Sequence, residues 1–220
     1  MATKKAEIVE IQEIQMDTIT VRLRGDTPLI MHCWSEKAKR EMLEAQQGKK
    51  AGKKKAFKNP VEDFINSMYW IEGKPEEYTE EAFDAAIENG ARFGFPVLAF
   101  KAAAVSAAFR NGWTKDKVSA RGSFLVEPDT PDGLIEIHSD PPIMREDMVK
   151  IGMGTADLRY RGEFRNWYAD LTLSWNRNGQ YSLSNIISML NAGGFSCGIG
   201  EWRMEKGGIN GAYHVEGATD

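Results

Sequence analysis

The segment FRNWYADLTLSWN, residues 164–176, shows a strict alternation of apolar and polar side chains. Every second residue from Trp167 to Trp175 is apolar, whereas the positions between them include Asp170 and Thr172. Because successive side chains of a strand point to opposite faces, this pattern predicts a strand with one buried and one polar face. We expect Trp167 and Trp175 to lie in the core. The chain should therefore contain a sheet that is covered on one side.

Other segments predict strands and helices that alternate along the chain. Strand patterns cover residues 17–25, 118–126 and 134–138, a further strand begins near Ile143, and a short strand covers 211–217. Helix patterns with capping or stop signals cover 35–48, 60–68, 79–90, 96–112 and 182–194. The fourth of these helices is rich in alanine, which favours close packing against a sheet. This order predicts an α+β fold with a mostly antiparallel sheet and helices on one face.

Length and composition indicate how many domains the chain forms and in which cellular compartment it is found. The chain has 220 residues, of which 42% are hydrophobic, which is enough to bury the core of a single domain spanning 1–220. No apolar run approaches the roughly 20 residues needed to cross a bilayer. Cys33 and Cys197 form no disulfide framework and are interpreted as small buried groups. We expect a cytoplasmic protein without a membrane partner.

Charge is unevenly distributed, although the formal net charge is only −4. The stretch 45–61 is basic and contains no acid, whereas the stretch 72–88 is strongly acidic. A lysine-rich run is the usual electrostatic footprint for phosphate, and we predict that it contacts nucleic acid. Two alternatives stay open, namely a solvated loop and head-to-tail pairing with the acidic block of a second copy. The predicted phosphate-binding lysines are Lys49, Lys50, Lys53, Lys54, Lys55 and Lys58.

The residue types needed for metal or nucleophilic chemistry lack the required spacing. His32, Cys33, His138, Cys197 and His214 show none of the paired spacings of structural zinc sites. No Gly-x-Ser-x-Gly motif is present, and the many carboxylates are better explained by solubility than by acid–base catalysis. We therefore predict no metal, no cofactor and no catalytic residues. A metal-dependent nuclease remains an alternative.

Basic side chains are interleaved with aromatic ones in two places. The stretch RYRGEFRNWY contains Arg159, Arg161 and Arg165, and a later stretch contains Trp202, Arg203 and Lys206. Arginine neutralises phosphate and stacks on bases, and an aromatic face accepts any base, so together they favour sequence-tolerant binding of single strands. We expect Trp202 to lie on the surface because its neighbours are polar residues and glycines.

Residues 193–215, GGFSCGIGEWRMEKGGINGAYHV, contain a third of the 21 glycines of the chain. Glycine adopts left-handed backbone angles cheaply and allows another backbone to approach closely, so such a cluster predicts a shaped loop. Its spacing lacks the Gly-Lys-Ser/Thr ending of a phosphate-binding loop, and it follows a helix rather than a strand. The loop should either form turns or contact a ligand.

Three pieces of the sequence together resemble the RAMP superfamily, in particular the backbone subunits that coat guide RNA in CRISPR effector complexes. They are DTPLIMH after the first strand, FPVLAFKAAAVSAAFR, and the last helix with the glycine cluster. The resemblance implies a ferredoxin-like, RRM-type core, with residues 48–90 as an inserted basic loop and helices. It also implies that the inner-helix residue Lys101 and the glycines Gly194, Gly198 and Gly200 lie against nucleic acid.

The resulting hypothesis is a non-enzymatic protein that forms head-to-tail filaments and binds single-stranded nucleic acid, RNA being favoured, without sequence preference. Other effector-complex subunits are further partners implied by the resemblance. One alternative is a structural protein of a phage or mobile element that assembles without nucleic acid. Another is a phage protein that binds single-stranded DNA in replication or recombination.

Overall fold

The computed structural model of the protein describes residues 13–34, 36–48, 58–151 and 154–219. Its strands are β1 (Met16–Gly25), β2 (Leu29–Met31), β3 (Tyr69–Glu72), β4 (Arg92–Pro96), β5 (Phe124–Glu127), β6 (Leu134–Ile137), β7 (Ile143–Ile151), β8 (Thr155–Phe164), β9 (Tyr168–Asn176) and β10 (Tyr213–Thr219). Its helices are α1 (Glu36–Gln46), α2 (Pro60–Asn66), α3 (Glu80–Glu88), α4 (Val97–Arg110), α5 (Lys117–Gly122) and α6 (Leu183–Ser196). A short 3₁₀ helix covers Met204–Lys206.

The strands form three sheets, and neighbouring strands in each sheet are antiparallel. The largest has the order β10-β1-β9-β5, the second has β2-β8-β7, and the third has β3-β4-β6. The α+β class with antiparallel sheets is thus confirmed. The sequence led us to expect one sheet, whereas the described residues divide among three.

The four-stranded sheet has the two faces that the alternation in residues 167–175 predicts. Trp167 and Leu171 are fully buried in a core shared with α4 and α6, and Trp175 is buried as well. On the opposite face, Arg22 of β1 donates two hydrogen bonds, of 2.8 and 2.7 Å, to the carboxylate of Asp170. The predicted core position of both tryptophans is confirmed.

Several helix boundaries agree with their capping signals. The side chain of Asn59 accepts a hydrogen bond from the amide of Val61 at the start of α2, and that of Thr79 does the same for Ala82 in α3. Helix α1 ends before Gly48, as predicted. Its predicted N-cap, Ser35, lies outside the described residues.

The predicted strand over 118–126 is wrong in its first half. Residues Lys117–Gly122 form helix α5, and only Phe124–Glu127 form a strand. The carboxylate of Asp116 accepts hydrogen bonds from the amide and the hydroxyl of Ser119, at 2.7 and 2.8 Å. This cap satisfies an amide at the helix start that would otherwise lack a partner, and so favours the helix.

The described part of the predicted insertion packs on the common core. Phe64 and Ile65 of α2 and Phe83 of α3 belong to the same buried cluster as Leu23 and Leu171 of the four-stranded sheet. The rings of Phe64 and Phe83 meet edge to face, 4.9 Å between centroids. Residues 58–88 therefore share the hydrophobic core with the rest of the chain.

Candidate nucleic-acid interface

The first two glycines of the cluster lie inside helix α6, which continues to Ser196. The prediction that the helix ends at these glycines is wrong, and the reason is close packing. A Cβ atom on Gly194 would lie 1.9 Å from the carbonyl oxygen of Tyr213, and one on Gly193 would lie 2.7 Å from the amide nitrogen of Ala104. The two glycines therefore let α6 approach β10 on one side and α4 on the other.

Residues 197–212, here called the glycine loop, fold back on the turn between β1 and β2. The amide of Gly211 donates to the carbonyl of Pro28 at 2.8 Å, and the amide of Glu201 donates to that of Ile30 at 2.9 Å. Within the loop, the amide of Ile199 donates to the carbonyl of Gly211 at 2.9 Å. Gly211 has a φ of 68°, and a Cβ atom there would lie 1.7 Å from the carbonyl oxygen of Ile199. The loop is shaped by contacts within the chain.

A groove of about 290 Å³ separates the glycine loop from helix α4. Ala99, Ala102 and Ala103 give it an apolar wall, and His32 and Tyr69 lie at its edge. The opposite wall is the glycine loop itself, through Gly198, Ile199, Gly200, Glu201, Arg203 and Glu205. The predicted residues Gly198, Gly200 and Arg203 therefore share one groove.

Arg203 and Glu205 of the glycine loop are paired within the protein. Arg203 donates from Nε and Nη2 to Glu205 Oε2, at 3.2 and 3.1 Å, and from Nη1 to the carbonyl of Gly200 at 3.2 Å. Glu205 also accepts a hydrogen bond from Arg110 of α4. Burial alone would raise the pKa of Glu205, but the hydrogen bonds from Arg203 and Arg110 outweigh it and lower that pKa. The groove is thus close to neutral.

Strand β8 carries a row of charged side chains, one of which, Arg161, contacts the glycine loop. Arg161 is only 5% exposed, and its Nη1 donates to Asp147 Oδ2 of β7 at 3.1 Å. Its Nη2 lies 3.7 Å from Glu201 Oε2 of the glycine loop, and its Nε donates to His32 Nδ1 at 3.1 Å. Burial, followed by the charge of Arg161, lowers the pKa of His32. Arg161 therefore joins β8 to the groove.

The same row continues toward the basic stretch of the sequence. Lys58 Nζ donates to Asp157 Oδ1 at 2.8 Å and to the carbonyl of Leu158. Arg159 Nε lies 2.9 Å from Asp157 Oδ2. The hydrogen bond from Lys58 holds the pKa of Asp157 below its usual range. The end of the basic stretch is thus fixed on β8, four and three residues before Arg161 in the strand.

Arg165, at the other end of the row, pairs with a carboxylate as well. Its Nε donates to Glu163 Oε1 at 2.7 Å, and Glu163 Oε2 accepts from Arg145 Nη1 at 3.0 Å. Arg145 Nε in turn donates to Asp147 Oδ1 at 2.8 Å. Arg161 and Arg165 therefore belong to one network of ion pairs with β7, whereas Arg159 pairs with Asp157 and Lys58 in a separate group.

Three further predicted residues take different positions. Trp202 is 42% exposed, as expected, with a φ of 52° and a carbonyl that accepts from the amide of Asn210 at 3.0 Å. Lys206 is exposed, and no carboxylate of the described residues pairs with it. Lys101 lies over the ring of Phe124 in β5, 5.3 Å from its centroid, away from the groove lining, and burial lowers its pKa.

Lys49, Lys50, Lys53, Lys54 and Lys55 lie outside the described residues, so their predicted contact with phosphate stays a prediction. The structure adds His32, Tyr69, Asp147 and Glu201 to the site, which the sequence interpretation did not include as binding residues. Only His32 had been weighed at all, as a metal ligand. Their shared position depends on long-range contacts that no spacing in the sequence reveals.

Among the described residues, no group of three or more histidine, cysteine or acidic side chains is arranged to hold a metal ion. No helix in the described ranges is both long enough and apolar enough to span a bilayer.

Comparisons with known proteins give similarities to solved structures only. No protein-family profile matches the chain, and no curated protein sequence matches it. Among solved structures, the chain is similar to the crystal structure of Cmr6 from Pyrococcus furiosus, with 10% sequence identity and a TM-score of 0.35. The match covers 92% of this chain and 100% of that one. A TM-score of this size carries no argument about family or function.

Proposed function

We propose that the protein is a non-enzymatic, oligomerising protein that binds single-stranded nucleic acid, RNA in preference to DNA. The contacts are made with the sugar-phosphate backbone of the strand. The observation that carries the proposal is the row of side chains along β8. Lys58, the last lysine of the basic stretch, forms an ion pair with Asp157, and Arg161 forms one with Glu201 of the glycine loop. The two segments singled out by the sequence thus each contact strand β8.

In this proposal, the lysines of the basic stretch must supply most of the charge that binds phosphate. Arg161 and Arg203 are already neutralised by Asp147 and Glu205. They shape the surface, whereas Lys53 and its neighbours carry an acid-free charge excess. Exposed Trp202 offers an aromatic face on which any base can stack. This division of roles explains why binding would not depend on sequence.

The proposal includes a ferredoxin-like core and a distant relation to the RAMP superfamily. Supporting it, the largest sheet has the order β10-β1-β9-β5, while the chain runs β1, α4, β5, β9, α6, β10. In a ferredoxin-like topology, two strand–helix–strand units supply four strands. Across the sheet these strands lie in the order fourth, first, third and second. Stacking of copies into a filament, alone or with other subunits, belongs to the same proposal.

The decisive experiment replaces Lys53, Lys54 and Lys55 by glutamate in the full chain. Fluorescence anisotropy measures binding to labelled 30-nucleotide RNA and DNA strands of several sequences between 50 and 300 mM salt. We expect affinity for all sequences to fall alike, by about tenfold or more, with a shallower salt dependence because fewer counterions are released. The charge-matched control replaces Lys4, Lys5 and Lys74, which lie outside the basic stretch.

Two results would contradict the proposal. If the wild-type protein binds no strand at any salt concentration, it is not a nucleic-acid-binding protein. If the Lys53, Lys54 and Lys55 variant binds as tightly as the control variant, the basic stretch has no part in binding. Tighter binding of DNA than RNA would favour the phage protein instead.

The rival function is assembly of copies without nucleic acid, and the acidic surface at and just before α3 supports it. Glu77, Glu80, Glu81 and Asp84 are exposed, and no cation of the described residues pairs with them. Light scattering with and without a single strand separates the two functions. Strand-dependent growth of the particle supports the proposed function, whereas assembly that is identical without a strand supports the rival. Incubation of labelled strands with divalent metal tests for cleavage.

A further inference from the structure

A second pocket, of about 490 Å³, lies between the residues that follow α4 and the first half of α6. Its volume is within the range of small-ligand sites, roughly 300–1,000 Å³. None of its lining side chains is ionisable at neutral pH. They are Trp113, Gln180, Tyr181, Asn185, Ser188 and Met189.

The pocket offers one aromatic plane and several neutral hydrogen-bonding groups. The indole of Trp113 is 49% exposed, and the amide of this residue donates to the carbonyl of Ala108 at 2.9 Å, which fixes its backbone to the end of α4. Asn185 Oδ1 accepts from the amide and hydroxyl of Ser182, at 3.1 and 3.0 Å. Its Nδ2 group keeps both hydrogens free of any acceptor in the described part of the chain, and Gln180 has a free side-chain amide there as well.

The chain beside Trp113 carries cations that no acid of the described residues neutralises. Lys115, Lys117 and Arg121 follow Trp113 closely, and Lys117 Nζ lies 5.5 Å above the ring of Phe109. Asp116 is the acid nearest in sequence, and its carboxylate is used by Ser119 at the start of α5. A neutral sugar could stack on the indole and form hydrogen bonds with the amides, but it would not form ion pairs with these cations. A ligand that carries both an aromatic base and phosphate groups could contact the pocket and the cations together.

We propose that this pocket binds one base of a single strand, stacked on Trp113, with the amides of Gln180 and Asn185 on the base edge. Lys115, Lys117 and Arg121 contact the phosphates on either side. The inference rests on the proposed function, since its ligand is the same strand, and it adds a base-binding site away from the groove beside β8. Stacking of an unpaired base on an aromatic side chain is tolerant of sequence.

The test compares a normal RNA strand with an RNA strand of equal length that lacks bases, using full-length protein. The substitution W113A should weaken binding of the normal strand about fivefold or more, because a stacked base contributes at this level. It should leave binding of the abasic strand unchanged. The control F195A removes an aromatic ring that is 81% exposed on α6 and does not line the pocket.

A second variant keeps the test independent of folding. W113F retains an aromatic face and should keep most of the affinity, and thermal unfolding shows whether either variant is folded. Equal losses on both strands, or no loss with W113A while the wild type binds normally, would overturn the base-binding pocket and leave the proposed function standing. Absence of wild-type binding to both strands would overturn both.

Discussion

Lys58 Nζ lies 2.8 Å from Asp157 Oδ1, so the last lysine of the basic stretch is fixed to strand β8. Arg159 approaches the other oxygen of the same carboxylate at 2.9 Å. One acid therefore neutralises two cations at the point where the basic stretch meets the proposed binding surface. This arrangement predicts that Asp157 restrains phosphate binding.

The substitution D157N should raise affinity for single strands about two- to fivefold at low salt, because Lys58 and Arg159 lose their shared counter-charge. Stability should change by less than ~1 kcal/mol, since the pair is partly exposed. Anisotropy titrations give the affinity, and urea unfolding gives the stability. The variant D84N carries the same charge change on exposed α3. If D84N raises affinity equally, net charge rather than this contact is responsible.

Asp147 should be the acid whose loss is most damaging. It accepts hydrogen bonds from Arg145 at 2.8 Å and from buried Arg161 at 3.1 Å. In D147A, Arg161 would remain buried without this partner, and we expect the free energy of unfolding to fall by about 3–5 kcal/mol. The control is D17A, which breaks the pair with exposed Arg177 and should cost under ~1 kcal/mol. Similar losses in the two variants, measured by urea unfolding, would contradict a special role for the buried network.

Gly194 should tolerate no side chain, because a Cβ atom there would lie 1.9 Å from the carbonyl oxygen of Tyr213. G194A must move α6 away from β10, and overpacking of this kind costs at least about 1–3 kcal/mol. The matched control is G122A in helix α5, where a Cβ atom meets nothing within 4 Å. That variant should be neutral or more stable by up to about 1 kcal/mol, given the helix propensity of alanine. Thermal unfolding of both variants separates close packing from a general glycine effect.

His32 should make stability fall as the pH is lowered below the ordinary histidine pKa of about 6.5. Because its pKa is lowered in the folded protein, the unfolded chain binds the proton more readily. The contribution is complete above the ordinary histidine pKa of about 6.5 and is lost as pH falls toward the folded value. We expect wild type to lose more stability than H32N when the pH is lowered from 7.5 to 5. Parallel unfolding curves for the two proteins across that range would contradict the burial of a neutral imidazole.

The strand over 168–176 illustrates what periodicity can predict. Its alternation assigns a buried and a polar face without reference to any partner, and Trp167, Leu171 and Trp175 are buried accordingly. The sequence of strand β8 lacks such a signal, because its alternate residues Arg159, Arg161 and Glu163 are charged. Arg161 and Glu163 are buried, and each forms an ion pair with a residue of β7. Counting apolar residues cannot detect a strand whose face is covered by a polar network.

Helix α5 and the glycine cluster show the limits of local signals. The sequence over 118–126 is compatible with a strand, and the Asp116 cap favours a helix over its first half. Gly193 and Gly194 predict a helix end, yet α6 continues through them because two other elements press against it at these positions. In both cases local propensity was outweighed by a side-chain cap or by packing.

Periodicity and local composition were enough to predict the α+β class, the two-faced strand and the exposed position of Trp202. These features are properties of neighbouring residues. Folding brings together residues that local patterns do not connect: the glycine loop docks on the turn after β1, Arg161 joins β8 to Glu201, and Lys101 lies at Phe124 instead of in the groove. Those relationships link residues far apart in the chain, and their energies depend on distances that exist only after folding.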